Sequence, residues 1–274
     1  MAEDILSMDA EALRNFMARH KERDYLLIDV RQPAEYGEQH IPGAQLFPFL
    51  ELQSRVFELP DDRELIFYCR VGGRSLAAAD LAEAAEVTER PIRHLEGGIL
   101  AWDGRTLIDF PRTDLFRDVA DPSDALMLAM NLEKGAFRFY TALVERHGST
   151  AFGGVAEELS KAETAHARTL YHFWEKTVSD PKPFSDLFAE LDGEIMEGGR
   201  SLAEVLGQLE QIEGDPCVPL LEVGMTVEYS AYDLYRNMAE RTDDAEARQA
   251  FLTIAQAEKA HMRRLGEGIA GCVG

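Results

Sequence analysis

Apolar and polar positions change rhythm once along this chain. Up to about residue 110, short apolar runs alternate with amphipathic stretches. Tyr25-Leu26-Leu27-Ile28-Asp29-Val30 and Glu64-Leu65-Ile66-Phe67-Tyr68 read as buried strands, and Ile92 to Leu95 as another. Helices are expected over 10–19, with Ser7 as the cap, over 50–57, over 75–85 and through Trp102. Such alternation predicts an α/β domain with a mainly parallel sheet. Pro111 to Ser123 mixes Pro, Asp and Arg without a period, and is expected to be an exposed polar linker. Beyond it the spacing becomes helical, with long amphipathic segments over 127–146 and 155–176 broken by His147-Gly148-Ser149-Thr150. The connection from Val178 to Pro216 holds two short helical stretches, 183–190 and 201–212, and is long enough to cross a bundle. The expected architecture is therefore multidomain, with an α/β domain over 1–112 and an all-α domain over 120–274.

The helical part repeats itself. Glu133, Glu163 and His166 recur at Glu228, Glu258 and His261, each 95 residues on. Met130, Ala136, Tyr140, Glu145, Arg146, Ala162, Ala165, Arg168 and Leu170 also match residues at that displacement, as a duplicated two-helix unit would. Glu133 and Glu163 stand fifteen residues either side of Gly148, and Glu228 and Glu258 fifteen either side of Asp243. Equal distances from a hairpin turn place two side chains at one height. In each second helix, Glu and His at i and i+3 share a face. Four carboxylates and two imidazoles are thus expected at one level of a four-helix bundle.

Carboxylates are rarely buried without a partner or a metal. A lone Glu-x-x-His is ordinarily a solvated helix face. Two copies, each with a Glu at matching height on its hairpin partner, argue instead for a pair of metal ions. Oxygen-rich ligation with two imidazoles suits iron, with manganese as the other possibility, better than zinc.

On the strength of Glu133-x6-Tyr140, Glu163-x-x-His166, Glu228-x6-Tyr235 and Glu258-x-x-His261, residues from about 120 resemble the ferritin-like di-iron superfamily, and most of all rubrerythrin. The resemblance implies a centre of two iron ions that reduces peroxide or oxygen. Two departures stand out. Rubrerythrins usually carry a further carboxylate one turn beyond the third-helix Glu, where this chain has Ala231. They also usually bring a four-cysteine rubredoxin iron site, and nothing here resembles one, which leaves the electron donor unidentified and makes an external one the expectation.

Cys69 sits where a buried strand gives way to a helix. Cys69-Arg70-Val71-Gly72-Gly73-Arg74-Ser75 offers backbone N–H groups, a helix N-terminus and two arginines. These favour an anion and a reactive thiolate. A free cysteine at a strand end is often only a small buried hydrophobe, but the glycines and arginines here point to chemistry. Asp29-Val30-Arg31-x-Pro33-x-Glu35-Tyr36, His40-Ile41-Pro42-Gly43-Ala44, the cysteine loop and Leu95-x-Gly97-Gly98-x3-Trp102 together resemble a single-domain rhodanese. That resemblance implies that Cys69 carries sulfane sulfur as a persulfide, with Arg70, Val71, Gly72, Gly73, Arg74 and Ser75 forming the substrate loop. A loop of six residues from Cys69 to Arg74 matches sulfurtransferases, where related phosphatases have seven.

Charge changes the picture of partners. A net charge of −22 argues against nucleic acid and against an anionic membrane surface. No apolar run approaches membrane-spanning length, and Met1-Ala2-Glu3-Asp4 does not start a signal peptide. Three cysteines without a Cys-x-x-Cys pair exclude a disulfide framework and suggest a reducing cytoplasm. Cys217 and Cys272 read as incidental, His172 as no ligand because its repeat counterpart is Glu267, and Tyr140 and Tyr235 as hydrogen-bond donors to the ligands or plain aromatic packing. The expected partners are a small sulfur donor, a thiophilic acceptor, an external electron donor and a second copy of the chain. The function these features imply is bifunctional: sulfur transfer in front, di-iron oxidation–reduction behind. Iron binding with the front domain as a sulfide sensor or delivery module is the alternative, as is a sulfurtransferase with a purely structural bundle.

Overall fold

The computed structural model describes residues 5–148 and 151–273, so Met1 to Asp4, Ser149 and Thr150 of the sequence reading lie outside it. The chain divides into two compact units, Met1–Phe110 and Pro111–Gly274.

The first unit is a five-stranded parallel sheet of β1 (Leu6–Met8), β2 (Tyr25–Asp29), β3 (Gln45–Leu46), β4 (Glu64–Tyr68) and β5 (Ile92–Leu95), in the order β1-β5-β4-β2-β3. Its helices are α1 (Ala10–Arg19), α2 (Pro33–Glu38), α3 (Phe49–Arg55), α4 (Gly73–Ala84) and α5 (Gly98–Ala101). The central strands are continuously apolar because both faces are covered. Side chains alternate across a strand, so Tyr25, Leu27, Ile66 and Tyr68 join one core with Leu13 and Phe16 of α1. Leu26, Ile28, Leu65 and Phe67 join the other, where Ala78, Ala79 and Ala82 of α4 pack on the sheet. Ser7 does not cap α1. It lies in β1, and its hydroxyl meets His94 Nε2 at 3.0 Å. Asp9 caps instead, its carboxylate accepting from Ala12 N at 2.7 Å.

The second unit opens with a short 3-10 turn, Thr113–Phe116, and then α6 (Pro122–His147), α7 (Ala151–Trp174), α8 (Phe184–Glu190), α9 (Leu202–Leu209), α10 (Cys217–Arg241) and α11 (Ala245–Val273). α6 with α7 and α10 with α11 form the two hairpins of a four-helix bundle. The segment expected as an exposed polar linker is not one. Phe116 is buried in the helical core, edge-on to Phe251 with ring centroids 6.2 Å apart. Its apolar side chain outweighs the polar residues around it.

The bundle core comes in two pieces. One gathers Leu126, Met130, Leu170, Leu234 and Phe251; the other gathers Phe139, Leu143, Leu159, Leu221 and Leu265. Between them along α6 lies Glu133, wholly buried. Cys217 and Cys272, expected to be incidental, are joined in a disulfide that ties the start of α10 to the end of α11. They stand 26 and 29 residues from Asp243, so the hairpin brings them within one helical turn of each other in height. No helix of the described residues is long and apolar enough to cross a membrane.

Candidate functional site

Cys69 follows β4 directly, and its residue is 1 % exposed. Gly72 N donates to its Sγ at 3.2 Å. Burial works against a thiolate, but the Ser75 side chain and the backbone N–H groups of Ser75, Val71 and Gly72 outweigh it, so the thiol lies below its ordinary range. The Ser75 hydroxyl lies 2.9 Å from Gly72 O, so its single proton bonds that carbonyl until Cys69 ionises and then turns to the thiolate. From outside, Ile99 N donates to Cys69 O at 2.8 Å and Leu100 N to Arg70 O at 3.2 Å. That approach requires Gly98: its φ is +59° and a Cβ there would stand 2.4 Å from Cys69 O. The glycine pair downstream of β5 therefore serves the cysteine loop.

The expected loop residues divide by role. Val71, Gly72 and Ser75 turn N–H groups to the sulfur, whereas Gly73 has open space around it. Arg74 does not point a free charge at the site. It forms a two-point pair with Glu35 at 2.7 and 2.8 Å, which holds that carboxyl at about 2. Arg70 is exposed.

In the bundle, all six expected ligand residues are buried and meet in one cluster. They differ in which imidazole each carboxylate reaches. Glu163 sends Oε2 to within 3.3 Å of His166 Nδ1 and Oε1 to within 3.3 Å of His261 Nδ1. Glu258 likewise sends Oε1 to 3.1 Å from His166 and Oε2 to 3.0 Å from His261. Each of these carboxylates spans both imidazoles, which face one another with centroids 4.7 Å apart. Glu133 approaches only the first, 3.3 Å from His166 Nδ1, and Glu228 only the second, 2.8 Å from His261 Nδ1. The cluster is thus two adjacent subsites with two shared carboxylates.

The tyrosines cross over. Tyr140, on the helix of Glu133, donates to Glu228, while Tyr235, on the helix of Glu228, faces Glu133. The antiparallel run of α6 and α10 sets Tyr140 beside the other repeat's carboxylate. One residue was not anticipated. Glu197, in the connection between α8 and α9, is 1 % exposed, and the charges of Glu133, Glu163 and Glu258 all act on its carboxyl.

Five buried carboxylates are an unusual load. Burial raises Glu133 to about 8, against the pull of His166. Burial also raises Glu228 and Glu197 well above the usual carboxylate range. Glu163 and Glu258, each held by both histidines, lie below it in spite of burial. Both histidines are raised, because the surrounding carboxylates overcome burial. Donor atoms from Glu163, His166, Glu258 and His261 lie within 4.8 Å of one another, as a metal site requires. His166 Nδ1 has oxygens of three carboxylates at 3.1–3.3 Å yet aligns with none as a hydrogen bond. Both Glu133 oxygens, Glu163 Oε1 and Glu258 Oε2 also find no aligned partner among the described residues. Donors converging on a common centre rather than on each other fit a metal pair.

Comparison with known proteins agrees with this division. The family model for a rhodanese-like domain matches residues 9–105, and that for rubrerythrin matches 124–269. An HTH-type transcriptional regulator of Mycobacterium tuberculosis is 35% identical over 103 residues, covering 37% of this chain and 45% of the regulator. A sulfurtransferase of Allochromatium vinosum is 37% identical over 95 residues, covering 35% of this chain and 85% of that protein. A solved rhodanese-related protein of Thermoplasma volcanium is 25% identical and covers 38% of this chain and 99% of its own, with a TM-score of 0.34. The chain thus spans less than half of the regulator's length.

Proposed function

Because this chain belongs to the rubrerythrin family and carries a rhodanese-like domain ahead of that part, we propose that it is a bifunctional enzyme. Cys69 transfers sulfane sulfur, and the bundle holds two iron ions and reduces peroxide or oxygen. The observation that carries the second half is the pair of shared carboxylates: Glu163 and Glu258 each offer one oxygen toward either imidazole.

At the first site the Cys69 thiolate attacks the outer sulfur of a donor such as thiosulfate. The S–S bond of the donor breaks, sulfite leaves with the electron pair, and Cys69 becomes a persulfide. Its terminal sulfur carries the negative charge, and the N–H groups of Val71, Gly72 and Ser75 are the donors that hold it. A thiophilic acceptor then attacks that sulfur and releases the Cys69 thiolate.

At the second site Glu133 and His166 hold one metal position, Glu228 and His261 the other, and Glu163 and Glu258 serve both. The Tyr140 hydroxyl orients Glu228 by its hydrogen bond. The apolar halves of the bundle on either side keep bulk water from the cluster. Such a metal pair, when bound, supplies electrons to the oxidant. An external donor must restore them. The Cys217–Cys272 disulfide speaks against the reducing cytoplasm that the cysteine count suggested. The working form is a homodimer, with neither nucleic acid nor membrane as a partner.

Anaerobic reconstitution with Fe(II), followed by mixing with peroxide and with oxygen in parallel, tests the reading. Rapid oxidation of two Fe(II) per chain without further uptake supports it. Continued iron loading beyond the pair favours storage instead.

A further inference from the structure

Glu197 has no counterpart in the repeat, and no bundle helix carries it. It sits in the segment from Gly193 to Ser201, which is folded into a tight excursion. Ile195 pairs with Ser201, Met196 N donates to Arg200 O at 3.1 Å, and Gly199 N donates to Met196 O at 2.8 Å. Its start is fastened to α6 at two points. Gly193 N donates to Asn131 Oδ1 at 3.1 Å, and Arg138 reaches the carbonyls of Asp192 and Gly193. The excursion lies so close to α6 that a Cβ on Gly135 would stand 2.4 Å from Ile195 O. A glycine in the interior of a helix costs about 1 kcal/mol relative to alanine. Here it is what admits the segment.

The excursion delivers one carboxyl to the cluster. Met196 and Glu197 are buried at its tip, while Glu194 and Ile195 beside them are exposed. Glu197 Oε2 is buried with no hydrogen-bond partner among the described residues. Of the charges acting on Glu197, that of Glu133 is the largest, and the Tyr235 hydroxyl lies near both of these carboxyls. The position one turn beyond Glu228 is Ala231 and that beyond Glu133 is Ala136, so neither helix offers a further donor there.

We propose that Glu197 is a ligand of the metal position beside Glu133 and His166, supplied by the connection rather than by a bundle helix. The two metal positions are then inequivalent: one has its own added carboxylate, and the other has a Glu228 already fixed by Tyr140. This rests on the two-metal reading of the cluster.

Co(II) titration of the metal-free protein tests it, followed by the visible absorption that reports cobalt coordination and by competition with a chelator. Wild-type protein is expected to bind two Co(II) in distinguishable steps. Glu197→Gln, which keeps size and removes the charge, should weaken one step roughly tenfold or more and alter only that step's spectrum. Glu194→Gln removes a carboxylate from the exposed side of the same segment and should leave both steps as in wild type. Glu197→Gln indistinguishable from wild type, in a protein that loads two ions, overturns this assignment alone. Equal losses from both variants overturn it as well, since the charge of the segment would then be the cause. A wild-type protein that takes up no Co(II) overturns the two-metal reading and this assignment together.

Discussion

The cysteine loop and the bundle cluster solve opposite problems. Around Cys69 the protein supplies donors, and what it lacks is an anion. Backbone N–H groups and the Ser75 hydroxyl are in place before any substrate arrives. Around Glu163 and Glu258 it supplies acceptors, and what they need is positive charge. The first site is satisfied by its own loop. The second sets five buried carboxylates against two histidines, whose pKa values those carboxylates raise. Donor-rich sites can be built from local backbone, so one loop of a strand–helix junction suffices. Acceptor-rich sites of this kind need side chains from four helices and a bundle to hold them. The loop should therefore tolerate loss of its substrate without structural change, whereas the cluster's stability should follow its cations.

The largest expected effect is at Cys69. Cys69→Ser keeps the shape but has no accessible anion near neutral pH, so thiosulfate-dependent sulfur transfer should fall to background. The fold should survive, as read by circular dichroism. Transfer at the wild-type rate would show Cys69 dispensable, since Cys217 and Cys272 are tied up in a disulfide, and would break the contrast at its first term.

Removing a shared carboxylate comes next. Glu258→Ala strips an oxygen from each metal position and should cost both ions, where Glu228→Ala should cost chiefly one. Metal content after chelator competition distinguishes them. Equal losses from the two variants would mean that the carboxylates do not divide into shared and terminal.

The disulfide sharpens the comparison from outside both sites. It closes a separation of 55 residues, worth about 4 kcal/mol on loop-entropy grounds. Reduction, or Cys217→Ser, should lower the melting temperature of the helical unit by roughly 10 °C. Metal stoichiometry should not change, since the pair lies eleven residues from Glu228 on one helix and eleven from His261 on the other.

The smallest effect is a shift in pH profile. The Cys69 thiol lies below its ordinary range, so its alkylation should reach half-maximal rate at lower pH than an unperturbed cysteine. Ser75→Ala removes the strongest donor to the thiolate, and the profile should move to higher pH. A hydrogen bond to an ion contributes about 1.5–3 kcal/mol, so alkylation at pH 7 should slow roughly tenfold. An unchanged profile would leave the backbone N–H groups as sole support.

Much of this was legible in the sequence, for reasons that also explain what was not. Tyr25 to Asp29, Glu64 to Tyr68 and Ile92 to Leu95 announce themselves as apolar runs because both sheet faces are covered. β1 and β3, only three and two residues long, carry no such signal. The six clustered Glu and His residues were legible because repetition and distance from a turn are both countable. The same counting pairs Cys217 with Cys272, though neither has a metal-like neighbourhood to draw attention to it. Shared and terminal carboxylates could not be told apart by counting, since height along a hairpin says nothing of the direction in which α6 runs past α10. Phe116 was hidden among polar neighbours, so a helical unit beginning at Pro111 rather than near Asp121 keeps it. Glu197 lies in an aperiodic loop and has no repeat partner. Its one trace in the sequence is Gly135, a helix-interior glycine that only a close backbone approach explains.

The most direct test of the contrast is the thermal stability of the metal-free protein before and after anaerobic addition of Fe(II), with bound iron counted in the same samples. The account predicts two Fe(II) per chain, a clear rise in the melting temperature of the helical unit, and no rise in a Glu163→Ala, Glu258→Ala double variant. Contradiction would be a wild-type protein that binds no iron, together with a metal-free double variant more stable than wild type. The cluster would then be a buried burden without a cation to balance it.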